Sequence, residues 1–433
     1  MKLNFYNSHK IKSSNPGTTK SFEFNNLEQN KLFHFGKSEN DKMCGLQLEK
    51  SGNSNIIPLL LNVNSENIMD VISEYSPVNF VEIVVKELFK NKDISVDDKK
   101  GNLLTLKDII SQKASCTGVN LDATNEELEQ IINNLTGDKK NVKVETQRLN
   151  QLFSTSIGYI IDRQKMEEAI EKRYLSENAN TFLDDDEKEY IMKVANLMSA
   201  GSDVLGDGKI RPDNGARQLS GGCWAHAGIN ATSVSDIGQE LLDNLIVKKN
   251  GIIAVKLPEA AKNNFPEPQG DGIYTFTEHE IENAAHSISI GDGDVTALLL
   301  ATSKYFASTG ENSDKQRNID GNPNYRMFEI LTGEKFKIFK NPQIPEGVSG
   351  TTFDYQRNPD KLYDNLVDLI SNNKGAITTQ FSEKLFSRHA YAVINMDKEF
   401  VYLKESNNPK NIQKITRQEF IENSVDICTY RFK

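Results

Sequence analysis

The fold is best indicated by one short stretch, Gln218-Leu-Ser-Gly-Gly-Cys223-Trp224-Ala-His-Ala227. The two glycines before Cys223 allow a tight turn and let a substrate approach the backbone. The small residues after it suit a closely packed helix that begins at the cysteine. Because the positive end of a helix dipole favours a thiolate, this position is predicted to lower the pKa of the Cys223 thiol. A buried structural cysteine is the simpler interpretation, but the chain's single Trp, directly after a Gly-Gly turn, argues against it.

A cysteine nucleophile needs a base, and His389 is the best of the six histidines. It opens the strand-like run His389-Ala-Tyr-Ala-Val-Ile394, whose end can hold an imidazole rigidly at the rim of a cleft. His226, one helical turn after Cys223, is interpreted as a packed or partly exposed helix residue. A hairpin through residues 400–403 returns the chain past His389 and is expected to place Asn407 or Asn408 beside the ring, where a side-chain amide orients it.

Together these motifs resemble those of the papain-like cysteine peptidases, and most closely the calpain-like catalytic domain. The resemblance covers about residues 203–433 and also includes Tyr274–Ile281, Gly291–Asp294 and Phe328–Gly333. It implies an α+β fold with a two-lobed catalytic domain, one lobe helical and the other an antiparallel β lobe. It further implies Cys223 as nucleophile, His389 as base and Asn408 as the orienting residue. Gln218 would be an oxyanion-hole donor together with the backbone N–H of Cys223.

The activity implied by the resemblance is that of a cysteine-type endopeptidase, which hydrolyses peptide bonds of a protein or peptide substrate. The same triad also performs deamidation or acyl transfer on a protein glutamine. A third interpretation is a non-catalytic binding module on a peptidase fold. The sequence leaves these alternatives open.

A loop ahead of the cysteine has some features of an EF-hand calcium site. Asp203 and Asp207 occupy its first and fifth positions, Asp213 adds a third carboxylate, and a predicted helix over residues 187–199 precedes it. Leu205 stands at the third position, which normally bears an oxygen, and Asn214 replaces the usual Glu. A glycine-rich turn is therefore the competing interpretation. Calcium is the one candidate cofactor, and the implied chemistry requires none.

Length and composition predict several domains. A chain of 433 residues with 37% hydrophobic and 26% charged residues is long enough for two or three. Residues 1–95 are predicted to form a mixed α/β region of unknown role, and residues 96–200 a helical region that is regulatory or a pro-segment. Residues 201–433 are expected, from the resemblance, to form the calpain- or papain-like cysteine peptidase domain. A charged linker over residues 91–102 is expected between the first two.

Charge and cysteine usage limit the partners and the compartment. The net charge of −10 argues against phosphate-driven binding of nucleic acid. No apolar run reaches the ~18 residues of a membrane-spanning helix, and the first residues lack the apolar core of a secretory signal. The four cysteines are far apart and form no CxxC pair, so neither a disulfide framework nor a zinc knuckle is predicted. The expected location is the cytoplasm, or outside the cell after export without a cleavable signal peptide; no oligomeric state is implied.

Overall fold

The computed structural model describes residues 31–37, 44–50, 61–63, 68–69, 77–90, 95–135, 139–177, 206–313, 318–339, 350–353, 359–373, 375–381 and 389–432. Its N-terminal part is mainly helical, and five neighbouring antiparallel strands near the C terminus belong to one larger sheet. The predicted α+β class is therefore confirmed. In the described ranges no helix combines the length and the apolar character needed to cross a membrane.

In the described residues, the N-terminal part has a small antiparallel sheet followed by four helices of three or more turns. The strands are β1 (Lys31–Lys37), β2 (Cys44–Lys50) and β3 (Leu61–Val63), and the helices are α1 (Pro77–Lys90), α2 (Val96–Thr117), α3 (Asp122–Asn134) and α4 (Lys139–Glu177). One hydrophobic core joins the four helices. The helical character predicted for the region that begins at residue 96 is confirmed by α2, α3 and α4. The helix expected over residues 187–199 lies outside the described residues.

The prediction of a linker over residues 91–102 is wrong for the second half of that range, where α2 begins. The side chain of Ser95 accepts a hydrogen bond from the backbone N–H of Asp98 and so caps the helix. Asp97 and Asp98 lie in the first turn, where negative charge is stabilised by the helix dipole. The charged composition of this segment therefore belongs to a solvated helix start.

The C-terminal part begins with helices around a three-stranded sheet. Its elements are β4 (Arg217–Gln218), α5 (Cys223–Thr232), α6 (Asp236–Asn244), β5 (Ile246–Lys249), β6 (Ile252–Lys256), α7 (Pro258–Lys262), β7 (Ile273–Thr277), α8 (Glu278–Ala284), β8 (Ser289–Ile290), α9 (Gly293–Thr309) and α10 (Arg326–Thr332). Strands β5, β6 and β7 pair antiparallel, and a buried core of Trp224 and its neighbours joins α5 to α9 and α10. A helix beginning at Cys223 was predicted and is confirmed.

The remaining elements form a larger sheet with a helix on each face. They are β9 (Lys337–Phe339), β10 (Gly350–Phe353), α11 (Pro359–Ser371), β11 (Gly375–Phe381), β12 (Ala390–Met396), β13 (Phe400–Glu405), β14 (Ile412–Thr416), α12 (Arg417–Asn423) and β15 (Ser424–Arg431). The strand order is β14-β13-β12-β11-β15-β10-β9, antiparallel except for the parallel β9–β10 pair. Helix α11 packs on one face, whereas α5 packs on the other against β11 and β12. The small side chains of Ala376, Ala390 and Ala392 line that second face.

Helix α4 joins the two parts of the molecule. Met166 and Ile170 on α4 are buried against residues of β5, β6 and β7. Beside this apolar contact, the ammonium of Lys256 donates to Asp162 Oδ1 at 3.0 Å, and Arg173 Nη2 donates to Glu280 Oε2 at 2.7 Å. The helical region therefore shares a buried interface with the C-terminal part.

Candidate active site

A fixed turn positions Cys223 at the first residue of α5. The backbone N–H of Gly221 donates to Asp320 Oδ1 at 2.6 Å, and the indole N–H of buried Trp224 donates to the carbonyl of Ile319 at 2.8 Å. One helical turn further on, a Cβ at Gly228 would lie only 2.5 Å from Met327 Cβ, so the small residue is required for α5 to approach α10. The turn and the tight helix predicted from the glycines are both present.

The structure brings Cys223 next to the residue that follows His389. The backbone N–H of Ala390 lies close enough to the Cys223 sulfur to favour its thiolate, as do the backbone N–H groups of Cys223 itself and Trp224. Cys223 is half-buried, and His389 is buried just before β12 begins at Ala390. The fold thus brings the Cys223 sulfur to the residue next to His389, although the two residues are far apart in the sequence.

Burial shifts the pKa values of Cys223 and His389 in opposite directions. The pKa of Cys223 is raised because desolvation disfavours the thiolate more than the three backbone N–H groups favour it. The prediction that the helix terminus lowers this pKa is therefore wrong for the substrate-free site. The pKa of His389 is lowered by desolvation, against which the negative charge of Glu405 acts. Both shifts favour a neutral thiol and a neutral imidazole at rest.

Glu405 is the carboxylate whose field reaches His389, and the sequence analysis missed it. It is the last residue of β13, is 3% exposed and pairs in register with Tyr391. The ring of Tyr391 meets the His389 ring edge-on, with centroids 5.2 Å apart. Gln413 on the neighbouring strand β14 donates from Nε2 to Glu405 Oε2 at 3.0 Å. The sequence signal that could have found Glu405 is an acidic residue at the end of the strand that follows the His389 strand in the predicted hairpin.

Gln218 and the Asn pair meet across the site, but in an unexpected arrangement. Gln218 Nε2 donates to Asn407 Oδ1 at 2.8 Å, and the hydroxyl of Ser406 donates to Gln218 Oε1 at 2.7 Å. The backbone N–H of Gln218 also donates to the carbonyl of Ser406, at 2.9 Å. Asn408 is exposed, and its carbonyl accepts from the N–H of Asn411 at 3.0 Å. The structure therefore joins Gln218 to Asn407 and places Asn408 in an exposed turn.

A buried polar layer lies beneath the first turn of α5. His226 is 1% exposed, and among the described residues neither of its ring nitrogens has a hydrogen-bond partner. Burial, together with the charges of Lys404 and His389, lowers the pKa of His226 to about 3. The ammonium of Lys404 donates to the carbonyls of Pro212 and Asn214 at 2.8 and 2.7 Å. His226 is thus a packed, neutral helix residue, as expected, whereas Lys404 was missed.

The loop predicted to bind calcium wraps around a different carboxylate. Asp203 lies outside the described residues, while Asp207 and Asp213 are exposed, and Asp207 Oδ1 accepts from the backbone N–H of Lys209 within its own loop. Asp294 Oδ2 accepts from the N–H groups of Gly208 and Lys209 at 2.8 and 3.2 Å. The described residues contain no group of three or more His, Cys, Asp or Glu side chains arranged to hold a metal ion. Calcium binding stays a prediction.

Comparison with known proteins identifies no relative. No family model matches the chain, and no curated protein matches it. The functional interpretation therefore depends on the positions of Cys223, His389, Glu405 and Gln218. These are the groups that the fold brings to one end of β12 and α5.

Proposed function

We propose that the protein is a cysteine-type endopeptidase, with a papain-like, two-lobed catalytic part most similar to the calpain-like branch. Cys223 is the nucleophile and His389 is the base. The observation that carries the proposal is the packing of Cys223 against Ala390, whose backbone N–H is close enough to the sulfur to favour its thiolate. This contact sets the thiol beside the residue that bears the base.

The arrangement of elements supports the two-lobed interpretation. Cys223 begins a helix of the helical half, and His389 opens a strand of the large antiparallel sheet. The helix packs on that sheet through small residues, so the two candidate catalytic groups lie where the two halves meet. A cleft at this junction is where a peptide would bind.

The proposed reaction proceeds through an acyl-enzyme. His389 takes the proton of the Cys223 thiol as the sulfur attacks the carbonyl carbon, forming the carbon–sulfur bond. The imidazolium then gives the proton to the leaving amine as the carbon–nitrogen bond breaks. A water molecule, deprotonated by His389, hydrolyses the thioester and restores the thiol.

Gln218 is proposed to stabilise the developing oxyanion. An amide nitrogen carries two N–H groups, and Asn407 accepts from only one of them. The second remains for a substrate oxygen, and the contacts with Ser406 and Asn407 hold the side chain in place. Removing such a donor typically lowers kcat by about 10²–10³-fold.

Mass spectrometry tests the chemistry directly. Full-length protein is incubated with an unfolded protein substrate, and the intact masses of all species are recorded for wild type, Cys223→Ala and His389→Ala. The matched control is Cys116→Ala, which removes an exposed free cysteine. Substrate fragments formed by wild type and Cys116→Ala, but by neither of the other two, support the proposal. An uncut substrate with the mass change of deamidation or crosslinking would mean that the protein performs that chemistry and is not a peptidase. An unaltered substrate, together with no labelling of Cys223 by a thiol-reactive peptide probe, would favour a binding module.

A further inference from the structure

The β12–β13 hairpin carries an acidic residue toward the proposed base. Residues directly opposite in an antiparallel pair share one face, and diagonal neighbours remain within reach of long side chains. Tyr391 lies opposite Glu405, and His389 stands two residues before Tyr391, immediately before β12 begins. The edge-on contact between the His389 and Tyr391 rings agrees with this placement. Glu405 is therefore a diagonal neighbour of His389.

We propose that Glu405 is the positioning residue of the reaction, orienting His389 and stabilising its positive charge, in the role that the resemblance assigned to Asn408. The inference rests on the proposed function, because it concerns the base of that reaction. It differs in chemistry from an asparagine triad, since a carboxylate contributes a full negative charge.

The charge requirement of the base explains why a carboxylate suits this position. When His389 takes the thiol proton it becomes an imidazolium in a desolvated site, and burial alone opposes that charge. A negative charge held nearby offsets the cost. Gln413 donates to the carboxylate and fixes it, while Asn407 is engaged with Gln218. Neither asparagine supplies a charge.

The charged and titratable groups around His389 are few in the described part of the chain. Helix α5 contributes Cys223 and His226, and the latter is neutral because of its burial. Strand β12 contributes Tyr391, and β13 contributes Glu405 and the more distant ammonium of Lys404. Glu405 is the acidic member of this set, so its removal has a distinct electrostatic consequence.

The direct test is the titration of His389 by NMR in the full-length protein with histidine labelled at Cε1. The background is Cys223→Ala, because this removes the coupled thiol, and the resonance is assigned with His389→Asn. Glu405→Gln is expected to lower the pKa of His389, because the neutral amide no longer stabilises the imidazolium, whereas Glu405→Asp keeps most of the effect. The matched control is Glu399→Gln, an exposed carboxylate at the opposite end of the same hairpin.

A second variant keeps the test decisive if Glu405→Gln does not fold. Gln413 is only half-buried on the edge strand, so Gln413→Lys is tolerated and sets an ammonium against the Glu405 carboxylate. It is expected to lower the pKa of His389 as well. An unchanged His389 titration in both Glu405→Gln and Gln413→Lys would overturn the inference.

Kinetics then separate this inference from the proposed function. With Cys223 present, Glu405→Gln should lower kcat by about tenfold for each unit that the pKa of His389 falls, with little change in KM. The acid limb of the pH profile should shift to lower pH. Wild-type kcat in Glu405→Gln, combined with a loss in Asn408→Ala, would return the role to Asn408. Absence of any turnover or labelling in wild type would instead reject the proposed function, and the NMR titration would still decide whether Glu405 acts on His389.

Discussion

Cys223 and His389 are both deprived of solvent, and this determines the chemistry of the resting site. A thiol whose pKa is raised by burial is a poor nucleophile toward a small neutral reagent. In the proposed reaction, the three backbone N–H groups around the sulfur would stabilise the thiolate that proton transfer to His389 creates. The site is therefore expected to be activated by a substrate that occupies the cleft rather than to hold a permanent ion pair.

The alkylation of Cys223 should follow from this. At neutral pH, iodoacetamide is expected to modify exposed Cys116 well before Cys223, and the rate at Cys223 should rise only as the pH passes the ordinary thiol value of 9.0. Peptide mapping of partly alkylated, folded protein measures both rates, with unfolded protein as the control in which they converge. Selective modification of Cys223 at pH 6 would contradict the neutral resting pair.

Asp294 should make the stability of the protein depend on pH. Burial, reinforced by the charges of Asp292 and Asp207, raises the pKa of Asp294 to about 7 from an ordinary 3.8. Between about pH 4 and pH 7 the folded protein thus keeps a proton that the unfolded chain releases. The free energy of unfolding therefore falls as the pH rises through this range, by up to about 1.4 kcal/mol per pH unit. The melting temperature of Asp294→Asn relative to wild type should therefore increase across that range. Asp213→Asn, which removes an exposed carboxylate of the same loop, is the control, and a pH-independent difference for Asp294→Asn would refute the assignment.

The control variant also tests the calcium prediction. Asp213 is one of the predicted ligands, so calcium should raise the melting temperature of wild type at pH 8 more than that of Asp213→Asn. Equal responses of these two proteins would exclude Asp213 as a ligand, and no response in either would leave the loop with a structural role only.

At the scale of elements, the hairpin shows what the sequence can and cannot predict. The strands His389–Ile394 and Phe400–Leu403 were predicted from their apolar residues, and the pairing near the turn joins Met396 to Val401. Continued without interruption, that register would place Asn408 opposite His389, as expected from the sequence. The register shifts by one between Val393 and Asn395, so that Tyr391 pairs with Glu405 instead. Because a one-residue shift exchanges the two faces of a strand, an irregularity with no distinctive sequence moves Glu405 onto the face of Tyr391 and moves Asn408 off the position opposite His389.

Helix termini show a similar limit. Asp122, Thr124 and Asn125 are the kinds of residue that cap helices, but the N-cap of α3 is Leu121, without a side-chain cap. The cap comes from the C-terminal part, where Glu240 Oε2 accepts from the backbone N–H of Thr124 at 3.0 Å and Oε1 accepts from its hydroxyl. A partner more than a hundred residues away cannot be predicted from local patterns.

Removal of this distant cap should destabilise the protein. Glu240→Ala leaves the Thr124 N–H and hydroxyl buried without an acceptor, which costs about 1–3 kcal/mol. Glu240→Gln keeps one acceptor and should cost less, because burial already raises the pKa of Glu240 to about 7 and disfavours its charge. Urea unfolding measures both, with Glu126→Ala on the exposed face of α3 as control. A Glu240→Ala variant as stable as the control would show that the contact contributes nothing.

At the scale of the whole molecule, the helical region behaves as part of the folded core. The sequence predicted that residues 96–200 are regulatory or a pro-segment, because apolar helical faces there need a partner. In the structure that partner includes β5, β6 and β7, which meet the buried Met166 and Ile170 of α4. Ion pairs from Asp162 and Arg173 border the same contact. A segment bound in this way is held by burial of apolar area and not by a covalent connection alone.

Cutting the chain between the two parts should therefore leave them together. With a specific protease site introduced between residues 185 and 200, the cleaved fragments are expected to co-elute in size-exclusion chromatography and to melt as one unit. Adding Ile170→Asp places a charge in the apolar contact, at a cost of several kcal/mol, and should separate the fragments, whereas Glu168→Ala on the exposed side of α4 should not.

The peptidase assay on the same samples decides whether the helical region supports the fold of the C-terminal part or restrains its activity. If α4 supports the fold, separation lowers activity and exposes the β5–β7 sheet to aggregation, because Val247, Ile252 and Ile273 lose their cover. A stable and more active C-terminal fragment would establish restraint.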